Sequence, residues 1–217
     1  MSLPDWIIDL TSLETLKICK CDPNLTSLPN GISYLRSLRE LSIEDCSNLK
    51  TSPYIGELTS LETLVIVRCP NLTSLSDKIS CVLSLQSLTI QSYSNLTNFL
   101  EWISYSTSLK FHKIEGFPDL TSLPNGISCH NFLRTPEIWG CPNLITLPDE
   151  ISKLTSLRSL GITECPNMTS LPVGMSCLTA LHSLSIGDCP NLTFPKWISE
   201  LSSERMCRTD VFRYSKS

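Results

Sequence analysis

Residues 154–172 read LTSLRSLGITECPNMTSLP, and most of the 217-residue chain repeats that stretch with small changes. Leu157, Leu160 and Ile162 form an LxxLxI core, followed by Cys165, Met168 and Leu171. Further cores begin at Leu13, Leu38, Leu61, Leu85, Leu109, Leu133 and Leu181. The closing isoleucines (Ile18, Ile43, Ile66, Ile90, Ile114, Ile138, Ile162 and Ile186) are spaced 25, 23, 24, 24, 24, 24 and 24 residues. A fixed period of this size means stacked coils, none of which can bury its apolar set alone.

Within each core the apolar residues alternate, as a short strand with one buried face requires. Copies in register predict a parallel sheet, with crossovers that wind right-handedly. The return path, for example Leu25 to Ser37, carries a proline near its start and apolar residues at Ile32 and Leu35. That pattern suits a loop and a short helical or 3-10 turn. The expected organisation is one domain over residues 1–217: a partial first repeat at 1–12, regular repeats at 13–201 and a degenerate cap at 202–217. Leu3-Pro4 matches Leu28-Pro29, so the chain enters in mid-repeat. A solenoid needs a polar terminal cap, and the expectation is therefore a piece of a longer protein or a natural truncation.

Composition bounds the function. Hydrophobic residues are 41% of the chain, ample for a core, and the net charge of -4 argues against a nucleic-acid partner. The opening MSLPDWIIDL lacks a basic region and is interrupted by Pro4 and Asp5, which reads against a signal peptide. No apolar run approaches the roughly 18–20 residues of a membrane span, so no membrane contact is expected. Of the 11 cysteines, Cys21, Cys46, Cys69, Cys141, Cys165 and Cys189 each follow a core isoleucine by three residues. Repeat-locked cysteines are read as an inward thiol ladder in a reducing, cytoplasmic compartment, although strands roughly 4.8 Å apart would let neighbours bridge. The sequons at Asn24, Asn71, Asn95, Asn167 and Asn191 follow from the repeat itself.

Catalytic signatures are missing. The chain holds no P-loop triplet, no GxGxxG, no HExxH and no CxxC, so neither an enzyme nor a cofactor or metal site is expected. Cys19 and Cys21 would point to opposite faces of a strand, which disfavours zinc. His112, His130 and His182 occupy different coil positions and do not read as a set. Three irregularities stand out. Ser52 stands where a leucine is expected, while His112 and Pro136 take the middle-leucine position of adjacent cores. Pro136 cannot donate to a ladder, which predicts a break or bulge there. His112 is expected to be partly buried and hydrogen-bonded rather than catalytic. Tyr93 and Phe117 replace the turn cysteine and are expected to widen the turn. Trp6, Trp102 and Trp197 share a flank position suited to local packing.

Function is then sought on the outward strand positions, which vary while the scaffold does not. Val65, Val67, Arg68, Gln91, Phe111, Lys113, Glu115, Glu137 and Trp139 place apolar and aromatic groups beside charges in coils three to six. Aromatic and arginine anchors framed by polar groups are what protein interfaces favour, so a protein ligand on the concave face is expected. Eight strands would give a surface about 34 Å long.

The run CPNLTSLPxxIxxLTSLxxLxI, met at 141–162 with Ile145 and Glu150 as variants, resembles the leucine-rich-repeat region of plant intracellular nucleotide-binding disease-resistance proteins. The resemblance covers about residues 3–201, and the NxLxGxIP signature of extracellular plant repeats is absent. It implies an α/β leucine-rich-repeat solenoid of about eight to nine 24-residue coils, with a parallel sheet on the concave face and short helical or 3-10 segments on the convex face. It also implies recognition of pathogen effectors or guarded host proteins in plant innate immunity, with further domains of a parent receptor as partners. The alternative is a free-standing scaffold or an adaptor that recruits substrates, for example to a ubiquitin ligase.

Overall fold

Each LxxLxI core becomes one five-residue strand. The strands are β1 (Thr15–Cys19), β2 (Glu40–Glu44), β3 (Thr63–Val67), β4 (Ser87–Gln91), β5 (Phe111–Glu115), β6 (Thr135–Trp139), β7 (Ser159–Thr163) and β8 (Ser183–Gly187). The computed structural model describes residue 7 and residues 9–52, 54–73, 82–91 and 108–198. The strands form a single parallel sheet in chain order, with isoleucine opposite isoleucine at every step from Ile18↔Ile43 to Ile162↔Ile186. The second return path is one residue shorter than the 24-residue period, and the loop absorbs the difference, because β2 and β3 still pair Leu41↔Leu64 and Ile43↔Ile66.

The apolar residues predicted to face inward do so. Leu38, Leu41, Ile43, Leu61, Leu64, Ile66, Leu85, Leu88 and Ile90 are buried, as are Leu157, Leu160 and Ile162. Ile32, Leu35, Ile127, Ile151, Leu154 and Met175 close the core from the return path. Four described return paths contain a 3-10 turn, at Asn30–Tyr34, Asn125–Cys129, Asp149–Lys153 and Val173–Cys177. In each, the serine of the Ile-Ser or Met-Ser pair returns its hydroxyl proton to the carbonyl three residues back, from Ser33 to Asn30, Ser128 to Asn125, Ser152 to Asp149 and Ser176 to Val173. Such local bonds satisfy turn carbonyls that a short helix leaves open.

Two other lines of bonds join the coils. The serine and threonine just before the return-path Leu-Pro pair as isolated bridges, Ser122↔Thr146 and Thr146↔Ser170 among them. The asparagine of Cys-Pro-Asn donates its side-chain amide to the preceding coil, from Asn71 to the Ser47 carbonyl (2.7 Å), Asn143 to Pro118 (2.8 Å) and Asn191 to Pro166 (2.8 Å). That bond is a structural reason for asparagine at this position, and the sequons follow from it.

The exit from each strand needs a left-handed residue. Lys20, Asp45, Arg68, Glu164 and Asp188 have φ between 49 and 57°, and Gly116 and Gly140 have φ of 73 and 62°. The next residue is the ladder cysteine, or Phe117 after Gly116. Cys69, Cys141 and Cys165 are buried, and each thiol donates to the carbonyl two residues back (3.5, 3.6 and 3.5 Å).

The structure departs from the expectations at four places. First, Cys21 and Cys46 form a disulfide rather than standing as thiols, because the coil step brings their Cα atoms to 4.7 Å. Cys69, Cys141, Cys165 and Cys189 remain free. Second, Pro136 makes neither a break nor a bulge: β5 and β6 pair along all five residues, including His112↔Pro136. The cost falls on the other side, where β6 and β7 pair only from Glu137↔Gly161 to Trp139↔Thr163. The Gly140 N–H bonds the Thr163 carbonyl, and alternation puts position 136 in the same β7-facing row, where proline has no proton to give. Third, Phe117 is buried and lengthens its turn only slightly, with the closing hydrogen bond kept. The Leu120 N–H still reaches the Phe117 carbonyl at 3.3 Å, against 3.1 Å for Leu144 to Cys141. Fourth, His112 is not hydrogen-bonded and not partly buried: it is 0% exposed, and neither ring nitrogen has a hydrogen-bond partner. Trp197 is buried as a packing residue. Trp6, Tyr93, Trp102 and the expected cap at 202–217 lie outside the described residues.

Candidate functional site

Strand alternation places Val65, Val67, Gln91, Phe111, Lys113, Glu115, Glu137 and Trp139 on the solvent face of the sheet, since their neighbours Leu64, Ile66, Ile90, His112, Ile114 and Ile138 are the buried set. Four of them form a connected group across β4, β5 and β6. The Gln91 amide donates to the Glu115 carboxylate at 2.7 Å. The Lys113 ammonium is 3.0 Å from that same carboxylate and 4.9 Å above the centroid of the Trp139 ring. The ammonium is thus held between an anion and a π face. Trp139 remains 40% exposed while its orientation is set from one side. A half-exposed tryptophan already held against a neighbouring charge has less freedom to lose on contact with a partner.

The other expected residues stand differently. Arg68 is not in that group. Its guanidinium is committed to the flank of the sheet, donating to the Asp45 carboxylate at 2.9 Å and lying 3.8 Å from Glu44. The guanidinium beside Asp45 holds that carboxyl below its ordinary range, and the Asp45 carboxylate in turn raises the arginine. Val65, Val67 and Phe111 lie on the same face and are half-buried, and Glu137 is exposed beneath Gly161, where a Cβ would meet its Cγ at 3.5 Å.

A second polar group escaped the sequence reading. Glu44 accepts from Lys17 (2.9 Å) and from the buried Ser42 hydroxyl (2.8 Å), and these bonds, with Lys17 first, lower its carboxyl below the ordinary range. With Arg68 and Asp45 it ties coils one, two and three into a self-neutralised cluster. The signal lay in the coil-by-coil charges: Lys17, Glu44 and Asp45 fall one coil apart from their partners. His130 was missed as well. One period from Leu154, it takes a core-leucine position and is 0% exposed, and its charge acts on His112. The two histidines therefore share one interior, although they occupy different coil positions. Burial, with His130 second, pushes the His112 imidazole down to about 3, so it is neutral at pH 7. Among the described residues no group of three or more His, Cys, Asp or Glu side chains is placed to hold a metal ion.

This architecture recurs in solved structures. The leucine-rich repeat domain of the type III effector XopL superposes with a TM-score of 0.78, covering 98% of this chain and 73% of that one at 23% identity. The fold is a leucine-rich-repeat solenoid. A leucine-rich-repeat protein of Leptospira interrogans gives a TM-score of 0.70 at 23% identity, over 99% of this chain and 59% of that one. Internalin C2 of Listeria monocytogenes gives 0.56 at 14% identity, over 97% of this chain and 84% of that one. No family model matches the solenoid. In sequence it is similar to an Arabidopsis thaliana protein named for disease resistance, 38% identical over 61 residues. That match spans 28% of this chain and 5% of the relative.

Proposed function

We propose that this solenoid is a protein-recognition module of a plant immune receptor, acting in the cytoplasm and binding a pathogen effector or a guarded host protein on the concave face of its sheet. The observation that carries the reading is the Gln91–Glu115–Lys113–Trp139 group, whose members depart from the repeat consensus and contribute nothing to the core. Folding requires only small polar residues at these positions, as Ser159, Gly161 and Thr163 show in β7. The partial likeness to the Arabidopsis protein supports the immune setting. The cytoplasmic assignment is supported by three consecutive ladder thiols, Cys141, Cys165 and Cys189, that remain free at the same coil step, whereas the Cys21–Cys46 bridge runs against it.

The test is a two-hybrid screen against a collection of pathogen effectors and host defence proteins, run in parallel with the wild-type chain and a Trp139→Ala/Phe111→Ala variant whose circular dichroism is unchanged. Partners are expected to be lost or weakened roughly tenfold or more in the variant. Partners that bind both forms equally would refute the assignment of this face.

A further inference from the structure

A separate surface lies along the edge where the chain enters each strand. The residue after the first leucine of each core is Glu14, Arg39, Glu62, Gln86, Lys110, Arg134, Arg158 and His182. Backbone bonds stack this column directly: Arg134 N–H to the Lys110 carbonyl, Arg158 N–H to Arg134 and His182 N–H to Arg158, each at 2.8 Å. The two halves of the column behave differently. In coils one to four the sign alternates or is neutral, and Arg39 pairs with Glu62 at 2.9 Å. From coil five onward it is Lys, Arg, Arg and His. Lys110 bonds only the neutral Gln86 amide (2.8 Å), and Arg134 and Arg158 have no ion pair among the described residues. All four are exposed.

Like charges directly opposite one another on adjacent strands oppose folding. Nothing in the core requires them, because serine, glutamine or glutamate would serve the same backbone. The neighbouring outward column is a floor of hydroxyls, Thr135, Ser159 and Ser183, which can donate to an anion held by the guanidinium groups. We infer that Lys110, Arg134, Arg158 and His182 form a docking edge for an acidic segment of a protein partner, whose carboxylates bind the stacked guanidinium groups. An acidic helix suits the edge. Its i, i+4 side chains are about 5–6 Å apart, near the strand step of roughly 4.8 Å, and arginine binds carboxylates bidentately. A nucleic acid fits less well. The chain is acidic overall, at -4, and the column is about 14 Å long with four groups. That falls short of the roughly 6–10 phosphate contacts over which counterion release builds large affinity.

This edge is distinct from the Trp139 group, and a charge swap tests it alone. The probe is a fluorescein-labelled, alanine-based helical peptide with glutamates at i, i+4 and i+8, compared with its lysine counterpart and a single-stranded RNA of equal charge. Fluorescence anisotropy with the full chain should show binding of the glutamate peptide, weakened as salt rises. The Arg134→Glu/Arg158→Glu variant should lose roughly tenfold or more in affinity for it and gain affinity for the lysine peptide, a swap that a merely structural role would not produce. Arg39→Glu and Trp139→Ala should leave glutamate-peptide binding unchanged. The assignment is overturned if the glutamate peptide binds no better than the lysine peptide. It is also overturned if the variant shows no swap, if RNA binds more tightly than the peptide, or if Trp139→Ala abolishes peptide binding. Because the effector screen reads Trp139 and Phe111, either proposal can fail while the other stands.

Discussion

His112 should make this solenoid acid-sensitive in a pH range where its carboxylates do not. The imidazole replaces a core leucine, with Leu88 opposite it on β4 and Pro136 on β6, and both ring nitrogens lack hydrogen-bond partners. Burial pushes its pKa to about 3, whereas the unfolded chain has the ordinary value of about 6.5. Below pH 6.5 the unfolded state takes up a proton that the folded state refuses, so stability falls as pH falls, until the folded pKa is reached near 3. Between pH 7 and pH 5 the loss comes to about 2 kcal/mol, from roughly 1.4 kcal/mol for each pH unit between the two pKa values. Glu44 and Asp45 act differently. Their folded pKa values are lowered, so their contribution is present above about 4 and is lost only below it. The interval from 7 to 5 therefore separates the buried histidines from these carboxylates. His112→Leu restores the consensus side chain and removes two buried polar atoms. It should raise stability at pH 7 by roughly 1–3 kcal/mol and flatten the dependence above pH 5. Urea unfolding followed by far-ultraviolet circular dichroism at pH 5, 6 and 7 checks both. His112→Leu/His130→Leu shows what the neighbouring ring adds. If the wild type and His112→Leu lose the same stability between pH 7 and pH 5, the buried-neutral assignment is wrong.

Other perturbations follow from the coil geometry. Gly140 has φ of 62°, so Gly140→Ala should cost about 1–2 kcal/mol in urea unfolding, although a Cβ there meets nothing closer than 3.7 Å. A loss below a few tenths would show that the turn relaxes freely. The Cys21–Cys46 bridge closes a loop with a sequence separation of 25, which corresponds to at most about 3.5 kcal/mol of lost chain entropy in the unfolded state. Adding dithiothreitol should lower the unfolding midpoint of the wild type and leave Cys46→Ser unmoved. An equal fall in both would show that the bridge contributes nothing.

How much of this was legible follows from what the period controls. Every described LxxLxI core became a strand, and every isoleucine met its counterpart, because a repeat that buries one face specifies register without ambiguity. The outward residues were legible for the same reason, since alternation assigns each strand residue to one face. Side-chain pairing was not. It depends on which neighbour a flexible charge reaches, and so Arg68 turned to Asp45 rather than to the valines beside it. His130 was misread because position within the coil was compared among histidines only. Subtracting one period from Leu154 places it in the core. Pro136 was judged as if a strand had one neighbour, yet it has two, and only the β7-facing row needs its proton.

Functional residues stand out in this fold as those without a structural duty. In a solenoid each outward position is repeated in every coil, so the chain itself supplies the control: what β7 and β8 tolerate as Ser159, Gly161, Ser183 and Ser185 shows the minimum that folding requires. Measured against that minimum, Trp139 and Lys113 exceed it with apolar area and fixed charge, and Arg134 and Arg158 exceed it with uncompensated charge. The exposed tryptophan leaves apolar surface in water, and the stacked arginines leave repulsion unrelieved, so each opposes the isolated domain slightly. A partner that covers the first and neutralises the second would relieve both. The acidic-peptide and effector experiments should accordingly each stabilise the domain on binding, by an amount that grows with partner concentration. A bound partner that left the unfolding midpoint unchanged at saturating concentration would be inconsistent with recognition of the folded solenoid.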